Sequence, residues 1–166
     1  MSLTLAAVGA VVMSLLQSTI IPYLEIGGAK PDLLLVYTVI LTIVLGLDHG
    51  LTVAFVGGLT IDAIAARPLG STAFVLLLCV GVASLLGRLL ARGRSASIVV
   101  AVALLGVVSP ALALVVYGAL RTPVPVADPF ASILPDMTYS TGLAILFGPL
   151  ASRLHRRYFE RERIDW

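Results

Sequence analysis

The chain carries few side chains able to do chemistry, and Asp62 comes first among them. It ends an apolar run that begins at His49. A carboxylate in such a run is costly unless it meets a partner, a cavity or a bundle interior, so it is a functional hypothesis by default. Arg67, five residues on, is within reach of it, and that structural pairing ranks slightly ahead of a direct functional contact. Asp48 suggests a carboxylate dyad with Asp62, but the two stand at opposite ends of one helix, roughly 20 Å apart by its rise. His49 and His155 fall at membrane edges, which gives neither a buried Ser-His pair nor a three-ligand metal set. Cys79 is the single cysteine, so no intramolecular disulfide forms. The glycines do not form a phosphate loop after a strand. Thr138, Tyr139, Ser140 and Thr141, with Gln17, Ser18 and Thr19, form two polar groups that could line a small extracytoplasmic cavity. The stronger reading is that these hydroxyls satisfy nearby carbonyls or meet headgroups. The expectation is therefore no enzyme, no cofactor and no metal.

The elements that must position these residues follow from composition. Of 166 residues, 59% are hydrophobic and 12% charged, about half the charged fraction of a soluble domain. A mean hydropathy of +1.07 excludes intrinsic disorder and an ordinary soluble globule. Net charge of +2 is too small to suggest nucleic-acid binding. Six stretches free of charge, 1–24, 33–47, 49–61, 68–87, 95–120 and 137–152, predict an all-α, polytopic membrane bundle of six helices. The second and third are short, since each crossing takes roughly 20 residues. They meet at a tight polar turn, Gly46 to Gly50. The N-terminus lacks a basic n-region and reads as a retained first helix. Residues 1–152 form one transmembrane domain, and 153–166 a cytoplasmic tail.

Orientation comes from Lys and Arg. With the N-terminus inside, eight of the eleven basic residues fall inside, leaving Lys30, Arg67 and Arg121 outside; both termini are then cytoplasmic. On the outer face, Lys30-Pro31-Asp32 opens helix two and Leu134-Pro135-Asp136 opens helix six. Each places Pro in the first turn and a carboxylate at the positive helix end. Asp128 is expected to cap a short interfacial helix from Pro129 to Leu134, while Ser71 and Ser97 cap helices four and five. Pro110 should kink helix five, and Pro149 threatens the end of helix six. Gly57 and Gly58, like Gly46 and Gly50, read as close-packing positions. In the tail, Arg153, Arg156, Arg157, Arg161 and Arg163 with Trp166 suit anionic lipid headgroups.

Lys30-Pro31-Asp32-Leu33-Leu34-Leu35-Val36, then Gly58-Leu59-Thr60-Ile61-Asp62 and Pro68-Leu69-Gly70, resembles the rod shape-determining protein MreD family of bacterial inner-membrane proteins. The resemblance is distinctive from Pro31 to about Leu90 and rests on topology beyond. It implies a noncatalytic part of the cell-elongation machinery that binds MreC. Through MreC it would join MreB filaments to the glycosyltransferase RodA and its partner transpeptidase in peptidoglycan synthesis. It makes Pro31, Asp32, Gly58, Asp62, Pro68 and Gly70 the partner-binding or family-motif residues. Helices two and three would shape the surface that receives MreC. The family is also similar in fold to the substrate-binding S-components of energy-coupling-factor vitamin transporters, which supplies the alternative reading. In that alternative, Ala6 and Ala10 on helix one would face a coupling subunit.

Overall fold

The shortest helix is the most buried. In a computed structural model that describes residues 2–20, 23, 31–89, 94–120 and 135–149, helix α2 (Leu33–Leu45) buries nine of its 13 residues. Its sequence is apolar on every face, which drives a helix to the centre of its surroundings. Around it pack α1 (Leu3–Thr19), α3 (Leu47–Ile64), α4 (Ser71–Leu89) and α5 (Arg94–Ala119). Residues 135–149 form a further helix, α6. Thirteen residues rise only about 20 Å, short of a hydrocarbon core of about 30 Å. Its neighbours bury most of α2, so this short helix stands inside the bundle.

The third helix is longer than its charge-free stretch suggested. It runs 18 residues, through both Asp48 and Asp62. Asp48 sits in the first turn, where the helix end favours a carboxylate, and Asp62 is buried near the last turn. Among the described residues three helices are long and apolar enough to cross a membrane: α3, α4 and Ala96–Ala119 of α5. Helix α1 has 17 residues.

Glycines set the helix joints. Gly46, at φ 107, occupies a conformation that L side chains rarely adopt, and it turns α2 directly into α3. A Cβ on Gly58 would stand 2.6 Å from the backbone nitrogen of Ala73, so α3 and α4 cross backbone to backbone there. On the other side of α3, a Cβ on Gly57 would lie 3.4 Å from that of Ala10. The Ser14 hydroxyl donates to the Gly57 carbonyl at 3.0 Å. Helix α1 therefore attaches by one seam of small residues, Ala6, Ala10 and Ser14, its three buried positions. Helix α6 repeats the device: its buried positions are Ser140, Ala144 and Gly148. It runs antiparallel to α5, with Met137 beside Gly106 and Gly148 beside Ile98.

Several local expectations change. Helix α5 starts at Arg94, so Ser97 lies inside it and does not cap it; Pro110 lies within the helix, as expected. Pro31 precedes α2, whose N-cap is Asp32, while Pro135 is the first described residue of α6. The Pro129 to Leu134 helix, Lys30, and the tail with Arg153, Arg156, Arg157, Arg161 and Trp166 lie outside the described residues.

Candidate functional site: two carboxylates at one end of the bundle

Asp32 and Asp62 share a level. Asp32 precedes Gly46 by 14 residues and Asp62 follows it by 16. Helical rise therefore places both roughly 21–24 Å from the Gly46 turn, on adjacent antiparallel helices. Each is committed to a helix N-terminus, one to that of its own helix and the other to that of the next.

The Asp62 side chain is fully buried. The chain reverses above it in a helix-ending turn in which the Arg67 N–H donates to the Asp62 carbonyl at 3.0 Å and Ala66 takes φ 51. This is the left-handed cap with a six-to-one hydrogen bond. Pro68 follows, and its carbonyl accepts from the Ser71 N–H at 3.1 Å, while Gly70 at φ 91 turns the chain into α4. Those few residues deliver the α4 N-terminus to the carboxylate. Oδ2 accepts the Gly70 N–H at 2.9 Å and the Thr72 N–H at 3.0 Å. Oδ1 accepts the Ser71 hydroxyl at 3.4 Å.

The partner expected from sequence was Arg67; the structure supplies the positive end of α4 in its place. The reason is geometric. The turn fixes these donors beside Asp62, whereas a guanidinium must give up side-chain entropy to reach it. Ser71 donates to Asp62, so it is not the acceptor cap expected for α4.

Asp32 joins three helices. Its Oδ1 accepts the Leu35 N–H at 3.0 Å and the Gln17 amide at 3.1 Å. Gln17 Oε1 accepts the Leu34 N–H at 2.8 Å, so one α1 side chain satisfies both the cap and an orphan donor of α2. The Asp32 N–H donates to Ser140 Oγ of α6 at 3.0 Å. Asp32 lies ahead of α2. Burial raises its carboxyl above the ordinary carboxylate range, and the Leu35 N–H, the Gln17 amide and the Arg67 charge oppose that rise, while the Asp136 charge adds to it.

The two polar groups read from sequence thus converge on the start of α2. Ser18 donates to the Ser14 carbonyl and Thr138 to the Pro135 carbonyl, the carbonyl-satisfying role ranked first. Thr141 Oγ1 is the described buried side-chain atom with no hydrogen-bond partner. Sequence reasoning missed Ser14 and the bridging role of Gln17. The lone amide near the end of an apolar helix was the available signal for Gln17.

Pro31, Asp32, Gly58, Asp62, Pro68 and Gly70 all lie at or near this end: two as helix caps, one as a crossing point, three in the approaches to α2 and α4. Among the described residues no group of three or more His, Cys, Asp or Glu is placed to hold a metal ion. His49 is at the Gly46 end, and Cys79 is buried in α4. Chemically, the arrangement stabilises helix ends.

Comparison with known proteins agrees with the sequence motifs. A family model described as rod shape-determining protein MreD matches residues 2–158. No curated protein and no solved structure matches.

Proposed function

The chain belongs to the MreD family of rod shape-determining proteins, and we propose on that footing that it is a noncatalytic membrane scaffold which binds MreC and helps organise peptidoglycan synthesis. The observation that supports a scaffold is the use made of two carboxylates, Asp62 fully buried and Asp32 half-buried. Asp62 binds the α4 N-terminus and Asp32 that of α2, so the costly polar groups of the bundle act in holding its shape. The outward faces are left to large apolar side chains such as Phe74, Leu78 and Leu85 on α4, which suit lipid or a foreign helix.

In this reading Gly58 and Asp62 act from inside, and Pro31, Asp32, Pro68 and Gly70 from the approaches to α2 and α4. Helix α2 is enclosed, and Gly58 is occupied by Ala73, so the MreC surface is built from the outer helices that these residues position. The excess of arginine over residues 88–94 and in the tail supports a reading in which the Gly46 end and both termini face the cytoplasm of a bacterial inner membrane. The tail arginines then meet anionic lipid.

The vitamin-transporter alternative, which rests on the family's likeness in fold to S-components, draws no added support from helix one. Ala6 and Ala10 are fully buried, on the α1 seam that faces α3, and are not offered to a coupling subunit. The shape-determining role is tested by depleting the chain in its native rod-shaped cell. Rounding that is rescued by the wild-type chain is expected. Normal rods after complete depletion would refute the role.

A further inference from the structure

The close helix contacts of α3 are made on small residues. Helix α1 lies on it through Ala6, Ala10 and Ser14, and α4 crosses it where Gly58 meets Ala73. Helix α4 turns its small side chains inward, with Ser71, Ala73, Cys79 and Ala83 all buried. Small residues are what let two helix backbones approach closely in lipid.

The outward face of α4 is built in the opposite way. Phe74, Leu78, Val82 and Leu85 are all exposed, and their spacing of three or four residues sets them in one stripe along the helix. Gly81 is exposed beside them, but Leu77 and Leu85 stand four residues to either side of it. No pair of small residues four apart opens this face to a foreign backbone.

Both ends of the stripe are marked by charge. Arg67, in the turn before α4, and Arg88, in its last turn, are exposed. Next to these arginines stand Leu69 and Leu89, 75% and 72% exposed, apolar side chains that gain from leaving water. An arginine at such an edge lays its stem on apolar surface and extends its guanidinium to a polar layer. The 19 residues of α4 rise about 28 Å, close to the hydrocarbon thickness of about 30 Å. A foreign helix would have to bring an anion to each end of this stripe. A phospholipid bilayer supplies one at both.

We propose that the outward face of α4 is a lipid face: acyl chains cover the stripe from Phe74 to Leu85, and phospholipid phosphates meet Arg67 at one end and Arg88 at the other. Helix α4 then sets the height of the bundle in the bilayer, and a partner helix is seated on another outer helix, whichever protein the bundle serves.

Two measurements on the full chain test this. In the native membrane, p-benzoylphenylalanine is put in place of Leu78 or of Leu85 and activated by light. Adducts with phospholipid chains are expected; a polypeptide adduct at either position would place a partner on this face and overturn the proposal. In vesicles, the Trp166→Phe chain carrying Leu85→Trp reports the lipids beside Arg88 through quenching by brominated phosphatidylglycerol or brominated phosphatidylcholine. The anionic lipid is expected to be preferred, and Arg88→Gln to lower that preference about fivefold. Phe74→Trp with Arg67→Gln reads the other end in the same way, with a smaller drop because the Arg67 charge also acts on Asp32. An unchanged preference at either end overturns the proposal as well.

Discussion

The Asp62 carboxylate and the Thr72 amide, ten residues apart in the chain, meet at 3.0 Å, so the last turn of α3 supplies the anion that caps α4. That contact converts an expensive buried charge into the element that fixes the hairpin. Its consequences are measurable.

Asp62→Leu removes the acceptor and leaves the part-buried Gly70 and Thr72 N–H groups without it. It should lower stability by about 3 kcal/mol or more. Asp62→Asn keeps one acceptor oxygen and should lose about half as much. Thermal unfolding of the purified chain in detergent ranks the two. If Asn and Leu destabilise equally, polar satisfaction alone does not hold this joint and the negative charge is essential.

Gly58→Ala and Gly81→Ala make a contrasting pair. A Cβ on Gly58 collides with the Ala73 backbone, while one on Gly81 meets nothing within 4 Å. Overpacking should cost the first variant about 3 kcal/mol, and the second should match or slightly exceed the parent because Ala favours helix. Midpoints from the same melts decide it.

Ala66 takes φ 51 with a side chain that disfavours it. Ala66→Gly should stabilise the hairpin by up to about 1 kcal/mol, the relieved strain being partly offset by the freer unfolded chain. A lower melting temperature would show that the turn is not strained.

Asp32 supplies a pH dependence. Because burial raises its carboxyl in the folded chain, the folded state holds the proton more firmly than the unfolded state. Its contribution is fully present below the ordinary carboxylate range and is lost as pH rises through the raised value. Melts across the acidic range should show stability falling with pH in that window, and Asp32→Asn should remove that component. An unchanged slope in the variant would assign it to other groups.

Much of this was legible from types and spacing. The apolar stretches located the helices, and Pro31-Asp32 announced the start of α2 within two residues, because a cap is a local device. The level shared by Asp32 and Asp62 followed from counting along two helices joined by one glycine turn. What could not be read was the partner of each polar group. Arg67 is closer in sequence to Asp62 than Thr72 is, yet the left-handed Ala66 and Gly70 turn α4 onto the carboxylate. Gln17 bonds to Leu34, and Ser140 to Asp32 across 108 positions, pairings fixed by tertiary packing alone. The third helix was underestimated for the same reason: a charge ends an apolar stretch in sequence, but a charge capped by a neighbour does not end a helix.

The most direct test of the scaffold is quantitative mass spectrometry of proteins that co-purify with the tagged chain from its native membrane in mild detergent, with an unrelated six-helix protein as control. The account predicts enrichment of MreC with the wall synthases. Recovery of a transporter coupling subunit and its ATPases, with MreC at the level of the control, would contradict it.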